Sequence, residues 1–213
     1  MEANRTRHRW TYSEYARLPL PSEAGGTRYE VIHGELFVAP SPGRRHQEIV
    51  THVVWLLYGF VRATGVGELF VSPFDVLFGE GDYLEPDIVF VRADRSELVT
   101  ERGVEGPPDL LVEVISPWTG TRDRGIKLER YRLYGVAEYW VVDPAERTVE
   151  VWSLEENATE PRILRPADTL RWTPEPGGST LEIALAELFS DVRGRVVYPG
   201  DLLEPTTEEW TEK

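Results

Sequence analysis

The hexapeptide LLVEVI at residues 110–115 constrains the fold of this chain more than any other stretch. Such a short run of apolar and β-branched residues is typical of a strand that is buried on both faces. Because side chains alternate along a strand, Leu111, Glu113 and Ile115 share one face. A buried carboxylate costs on the order of several kcal/mol unless cations or hydrogen bonds compensate it. The sequence therefore predicts partners for Glu113 elsewhere in the chain.

The 213 residues are enough for one sizeable domain with extensions. We expect an N-terminal extension over residues 1–26, a core over 27–155, and a β-rich extension with an acidic tail over 156–213 of the same domain.

Apolar residues at helical spacing predict a long helix over residues 44–63, and a second helix over 123–134 ends at Gly135. The elements follow the order αβββαβ, and we expect a mixed central sheet with both helices packed on it, an α/β (α+β) fold with extra hairpins. Its predicted strands are residues 74–78, 87–91, 110–115 and 138–142.

Composition narrows the class of protein. The net charge of −14 argues against a large basic surface for nucleic acid, so a contact with DNA would be local or assisted by cations. No window of about 18 apolar residues predicts a membrane span. The chain has no cysteine, which excludes disulfides and Cys-based zinc sites and makes the cytoplasm the expected location.

Two carboxylates are candidates for a metal site. Asp87 follows Pro86 at the start of one apolar strand, and Glu113 lies in the middle of another. If the two strands are neighbours, both carboxylates can converge on one cation, and carboxylates with waters suit Mg²⁺ or Mn²⁺. Asp109 competes with Asp87, but it lies on the Glu113 strand itself, about 13 Å away at roughly 3.3 Å per residue.

Lys127 is the third candidate. Of the 23 basic residues only Lys127 and Lys213 are lysines, so a lysine inside the fold is unusual for this chain. Helical spacing puts Asp123, Lys127 and Tyr131 on one face, which could meet the end of the Glu113 strand. The alternative is a surface ion pair between Lys127 and Asp123, which would contribute little.

The chain resembles the PD-(D/E)XK nuclease superfamily, and more closely its restriction-endonuclease-like Uma branch. The resemblance covers about residues 29–152 and is carried by YEVIHGEL (29–36), His46, PDIVFV (86–91), PDLLVEVISP (108–117), Asp123, Lys127, Tyr131 and GVAEYWVVDP (135–144). It implies the αβββαβ core and a catalytic set of Asp87, Glu113 and Lys127. In this set Asp87 and Glu113 bind the metal, while Ile115 stands where the superfamily usually has its lysine.

Several further residues could assist the Asp87, Glu113 and Lys127 set, although a structural role would also explain each of them. The resemblance places His46 near the site, although a histidine at a helix start more often has a structural role. Glu30 and Glu35, on a predicted hairpin, could add to the acidic cluster, but solvated surface charge is the commoner role for either. Asp123 and Tyr131 complete the accessory candidates, and packing alone would also explain the tyrosine.

The main functional hypothesis is an endonuclease that uses Mg²⁺ or Mn²⁺ to hydrolyse DNA phosphodiesters. The alternatives are a non-catalytic relative that binds nucleic acid or protein, and a metal-dependent phosphoesterase acting on small nucleotides. The resemblance, and apolar residues expected outside the core, also suggest a homodimer. Those apolar residues are Trp10, Trp152, Trp172 and Trp210.

Overall fold

The computed structural model describes residues 8–19, 27–116, 119–156 and 158–190. The predicted acidic tail and Trp210 lie outside these residues. Within them the strands are β1 (Arg28–Ile32), β2 (Glu35–Ala39), β3 (Gly67–Val71), β4 (Val76–Gly79), β5 (Asp82–Leu84), β6 (Ile88–Arg92), β7 (Val99–Thr100), β8 (Gly103–Glu105), β9 (Leu110–Val114), β10 (Glu138–Asp143), β11 (Thr148–Ser153), β12 (Arg162–Leu164), β13 (Thr169–Trp172) and β14 (Leu181–Ala184). The helices are α1 (Tyr12–Tyr15), α2 (Arg44–Thr64), α3 (Gly120–Arg122), α4 (Leu128–Tyr134) and α5 (Leu185–Leu188).

The central sheet has the strand order β12-β11-β10-β9-β6-β3. Strand β9 pairs with β10 in parallel and with β6 in antiparallel fashion, so the sheet is mixed as predicted. All five residues of β9 are buried, as expected for an apolar strand covered on both faces. The predicted mixed α+β fold is therefore confirmed.

Each face of the central sheet has its own hydrophobic core. On one face α2 packs Ile49, Val53 and Leu57 against alternate residues of the sheet, including Leu110 and Val112 of β9. This matches the predicted helix at residues 44–63, which ends at Gly65 in the left-handed conformation, where a side chain would be strained.

The opposite face is covered by α4 and by a second sheet with the order β2-β1-β5-β4-β8-β7. Its core includes Leu111 of β9, Tyr131 of α4 and Ile32 of β1. Glu113 lies two residues after Leu111 on β9, so both side chains point to the same face of the sheet. Glu113 therefore points into the space between α4 and the β1–β2 hairpin.

One predicted strand lies elsewhere. Residues 74–78 were expected in the central sheet, but β4 belongs to the second sheet, and β3 takes the place beside β6. Residues 72–75, which include Pro73, separate β3 from β4. Because proline has no N–H for a sheet ladder, the chain leaves the central sheet there and enters the second one.

The predicted helix at 123–134 is longer and less regular than expected. A continuous helical run begins with α3, passes through a π-helical segment at Asp123–Lys127, and continues as α4. Gly135 ends it in the left-handed conformation, as predicted. Within the described residues, none of the helices combines the length and the apolar character that a membrane crossing requires.

Candidate active site

Glu113 lies at the centre of a buried polar cluster. It is 3% exposed, and its Oε1 atom lies 2.7 Å from the Nζ atom of Lys127. The hydroxyl of Tyr131 donates a second hydrogen bond to the same oxygen at 3.1 Å. The partners that the sequence predicted for a carboxylate in this strand thus come from the helix that follows it.

Lys127 contacts three carboxylates. Its Nζ atom lies 2.7 Å from Glu113, 2.7 Å from Glu30 and 3.5 Å from Asp123. The lysine is 3% exposed, so the alternative of a surface ion pair with Asp123 is wrong. The π-helical segment carries both Asp123 and Lys127 with their side chains buried, and π-helical turns often occur at functional sites.

Asp87 precedes β6 by one residue and joins the cluster from the other side. The register Ile88↔Val112, extended by one residue, sets Asp87 opposite Glu113. The Oδ1 atom of Asp87 accepts a hydrogen bond from Arg28 at 3.0 Å, and its Oδ2 atom accepts one from the Val114 N–H at 2.8 Å. The Nε2 atom of His46, on the first turn of α2, lies 3.1 Å from Oδ2.

The electrostatics of the two principal carboxylates differ. Burial alone would raise the pKa of Asp87, but the hydrogen bond and charge of His46, the charge of Arg28 and the Val114 N–H together lower it. Burial raises the pKa of Glu113 well above its usual range, since the charge of Lys127 only partly offsets burial and the neighbouring carboxylates. Asp87 is thus held ionised, whereas ionised Glu113 depends on nearby positive charge.

Lys127 remains the fixed positive charge of the cluster. Burial opposes its charged form, but the charges of Glu113, Glu30 and Asp123 outweigh burial and raise the pKa of the ammonium group. Burial also raises the pKa of Asp123. One ammonium group surrounded by three carboxyl groups keeps its own proton, while the pKa values of Glu113 and Asp123 are raised.

A small cavity of about 220 Å³ leads from the surface to Asp87, with Arg28, Ser72 and Glu85 in its wall. Ser72 donates a hydrogen bond to Glu85 at 2.8 Å. Burial raises the pKa of Glu85 to about 7, against the opposing effects of Ser72 and Arg28. The cavity therefore connects the surface to Asp87 past a second carboxyl group with a raised pKa.

The structure brings most of the candidate residues together. Asp87, Glu113 and Lys127 form one cluster, with His46, Asp123 and Tyr131 in contact with it. Glu35 does not take part, because it is exposed at the start of β2.

The expectation of surface charge for Glu30 is wrong. Glu30 is 6% exposed, and its Oε1 atom contacts Lys127 and accepts a hydrogen bond from the Glu85 N–H at 3.1 Å. Alternation along β1 puts Arg28, Glu30 and the buried Ile32 on one face, so the apolar Ile32 was the sequence signal for this burial. The same signal would have found Arg28, which the sequence analysis missed.

Within the described ranges, no group of three or more His, Asp or Glu side chains is arranged to hold a metal ion. The carboxylates of the cluster nevertheless outnumber the cations that contact them. The carboxylates are Glu30, Glu85, Asp87, Glu113 and Asp123, and the contacting cations are Arg28, Lys127, Arg122 and, when protonated, His46. The donor set therefore has the chemistry of a site for a hard divalent cation, with two protein ligands and the remaining positions left to water or substrate oxygens.

The fold is similar to that of a solved structure. A crystal structure described as a "putative nuclease belonging to DUF820" from Anabaena variabilis matches with a TM-score of 0.69 and 20% sequence identity, covering 84% of this chain and 97% of that chain. At this identity the likeness concerns the fold. No curated protein matches the chain.

The family comparison covers all three sheets of the described residues, including the small β13-β14 sheet, and every residue of the cluster. The model of the Uma2 family, described as "Putative restriction endonuclease", matches residues 12–186. The chain therefore belongs to the Uma2 family of restriction-endonuclease-like proteins.

Proposed function

We propose that this protein is an endonuclease that hydrolyses DNA phosphodiester bonds with the help of Mg²⁺ or Mn²⁺. The observation that carries the proposal is the buried contact of Lys127 with Glu113, beside Asp87 on the adjacent strand. Membership of a nuclease-like family supports the same reaction class. A buried lysine with several carboxylates is costly to maintain, and such groups are concentrated where chemistry requires them.

Asp87 and Glu113 are the residues that would hold the metal ion, which when bound supplies Lewis-acid polarisation of the phosphate and activates a water molecule. Asp87 suits this role because its low pKa keeps it ionised. His46 and the Val114 N–H fix the orientation of its carboxylate through Oδ2. Their hydrogen bonds pre-organise the ligand before any substrate arrives.

Lys127 would neutralise negative charge that develops on the phosphate or orient the attacking water. Its ammonium group keeps its proton at neutral pH, because three carboxylates surround it. It therefore acts as a positive charge in our proposal rather than as a base. The Tyr131 hydroxyl positions Glu113 by donating to the oxygen that Lys127 also contacts.

A non-catalytic module that binds nucleic acid or protein is the second candidate. The net charge of −14 favours it, because phosphate contacts supply most of the affinity of ordinary DNA-binding surfaces. Ile115, at the usual position of the catalytic lysine, also favours this candidate. The two candidates differ in one measurable property, which is cleavage.

A cleavage screen tests the proposal. Plasmid, linear duplex and single-stranded DNA are incubated with the protein in Mg²⁺, in Mn²⁺ and in a chelator. We expect cleavage only with a divalent ion, and a loss of at least about 10²-fold for Glu113→Gln, which keeps the shape of the side chain but removes its charge. The control is Glu129→Gln, an exposed carboxylate on α4 that should leave the rate unchanged. Cleavage that persists in the chelator and in Glu113→Gln would exclude this site.

We also propose a homodimer, but the tryptophans that suggested it from the sequence do not all lie on the surface. Trp152 and Trp172, which were expected outside the core, are buried within it. The homodimer now rests on the family resemblance and on exposed apolar residues such as Val38 and Leu133. Light scattering at micromolar concentration tests it, and a particle of 24.3 kDa would disprove it.

A further inference from the structure

A second cleft of about 510 Å³ lies beside the candidate active site. We call it the aromatic cleft, because Tyr12, Tyr15, Tyr29 and Phe74 line it. Pro73 and Glu85 line both this cleft and the smaller cavity that reaches Asp87, so the two spaces are neighbours. The volume falls within the range of roughly 300–1,000 Å³ that is common for small-molecule sites.

The rings of the aromatic cleft are held in place by contacts behind them. Tyr15 donates hydrogen bonds to Asp75 at 2.8 Å and to the Tyr29 carbonyl at 3.3 Å. Tyr12 packs edge-on against Tyr83 with 5.4 Å between ring centroids. A ligand would therefore meet a wall that is already ordered, which lowers the entropy cost of binding.

Phe74 completes this wall, stacked on Phe70 with 4.5 Å between ring centroids. Tyr12, Tyr29 and Phe74 are only half-buried, so each has surface available to a ligand. Half-buried aromatic rings in a mostly apolar cleft with a few polar groups are suited to stacking against a flat, polar-edged group.

The polar groups of the cleft match the edges of a nucleobase. Asp75 and Glu85 supply carboxyl oxygens in its wall. Arg102 also lines the cleft, with its guanidinium group 5.1 Å from the centre of the Tyr12 ring and 2.7 Å from Glu105. A base stacked here would have hydrogen-bonding partners for its edge, and a guanidinium group near its phosphate.

We propose that the aromatic cleft holds an unpaired nucleobase next to the scissile phosphate, so that the preferred substrate is single-stranded or locally unpaired DNA. This inference rests on the proposed nuclease function. In a duplex the bases are stacked and paired, and bringing one to the rings costs a few kcal/mol (roughly) for unstacking. Stacking on the rings would provide affinity that does not depend on phosphate contacts, and in a chain with a net charge of −14 the basic residues that could make such contacts are outnumbered by acidic ones.

The experiment measures binding separately from cleavage. The Glu113→Gln protein is titrated into a fluorescently labelled single-stranded oligonucleotide and into the duplex of the same sequence, and anisotropy is recorded. We expect tighter binding of the single strand. Tyr12→Leu and Phe74→Leu, each introduced into that protein, should weaken single-strand binding roughly tenfold and leave duplex binding unchanged.

Two controls separate stacking from general damage. Tyr12→Phe keeps the ring and should bind like the parent, and Tyr58→Leu removes an exposed tyrosine on α2, outside the cleft. Oligonucleotides that each lack one base, at a different position in each, test which base contacts the aromatic cleft. The abasic position that weakens binding to the parent should have no further effect on Tyr12→Leu.

The outcomes distinguish this inference from the proposed function. Equal affinity for single strand and duplex, or single-strand binding that the leucine variants and abasic positions do not change, overturns the inference even if the wild-type protein cleaves DNA. Absence of binding to either form also overturns it. Ring-dependent binding of single strands without cleavage by the wild-type protein in Mg²⁺ or Mn²⁺ supports the base-binding role of the cleft and contradicts the nuclease function.

Discussion

The Nζ atom of Lys127 lies 2.7 Å from the Oε1 atom of Glu30, which joins the helical run after β9 to the first strand of the chain. The contact is buried on both sides, and the same ammonium group also neutralises Glu113. Stability and the geometry of the candidate site therefore depend on one lysine.

Replacement of Lys127 by Met should destabilise the protein strongly. The variant leaves Glu30, Glu113 and Asp123 buried without their shared cation, and breaking a buried ion pair in this way costs about 3–5 kcal/mol. Urea denaturation at neutral pH measures the loss. Adding Glu113→Gln and Glu30→Gln to the lysine variant should recover part of it. A loss below about 1 kcal/mol for Lys127→Met would mean that the carboxyl groups carry no net charge in the folded state.

Replacement of Arg28 by Met should strengthen divalent-ion binding. Arg28 donates to the Oδ1 atom of Asp87 and thereby competes with any cation for that oxygen. The variant removes a positive charge that would repel the metal ion. We therefore expect Mn²⁺ binding, measured by isothermal titration calorimetry, to tighten about tenfold. Arg44→Met, which removes the exposed partner of Glu48, is the matched control and should not change the affinity. Weaker binding in Arg28→Met would show that Asp87 needs the guanidinium group to keep its orientation.

Asp82 should matter for stability and not for the site. Its carboxylate is 1% exposed and accepts hydrogen bonds from Arg130 at 2.6 Å, from Tyr134 at 2.7 Å and from the His33 N–H at 2.8 Å. Asp82→Asn removes the charge that compensates Arg130, so we expect a loss of about 2–4 kcal/mol in urea denaturation.

The exposed pair of Arg171 and Glu182 provides the matched control for Asp82. Glu182→Gln should change stability by less than about 0.5 kcal/mol, since surface pairs contribute little. Mn²⁺ affinity should stay at the parent value in both variants. A change in metal affinity for Asp82→Asn would link the second sheet to the candidate site more tightly than we propose.

Asp143 should contribute to the acid limb of the stability curve. Burial would raise its pKa, but the Glu146 and Ala145 N–H groups and Arg124 together lower it. Between the lowered pKa of Asp143 in the folded protein and its ordinary pKa in the unfolded chain, the unfolded state therefore binds more protons than the folded state. The contribution is complete above the ordinary carboxyl pKa and is lost as the pH falls through the folded value. Asp143→Asn should therefore flatten the loss of stability in acid, measured by urea denaturation across that range, and an unchanged slope would contradict the assignment.

The sequence was sufficient for the elements whose side-chain pattern is strong. The helix α2 and the strand β9 were predicted nearly to the residue, because both have long or wholly apolar faces. The pairing of β9 with β6 was only the condition under which Asp87 and Glu113 could converge, and the structure shows that pairing. The predicted elements themselves depended on local side-chain pattern.

The second sheet could not be predicted in the same way. Its neighbours β1 and β5, or β4 and β8, are not consecutive in the chain, and no local pattern encodes such pairings. The misplaced strand at residues 74–78 has the same cause, since a five-residue run that is apolar except for Asp75 fits either sheet. Glu30 was misjudged because the sheet that buries it was not foreseen.

The order of the cluster along the chain has a consequence for synthesis. Glu30, Asp87 and Glu113 precede the π-helical segment that carries Lys127. While this segment is still inside the ribosome, the emerged chain carries the three carboxylates but not the Lys127 ammonium group that contacts Glu30 and Glu113. The cluster can close only after the helical run leaves the exit tunnel, so a chain that ends before Lys127 cannot assemble it.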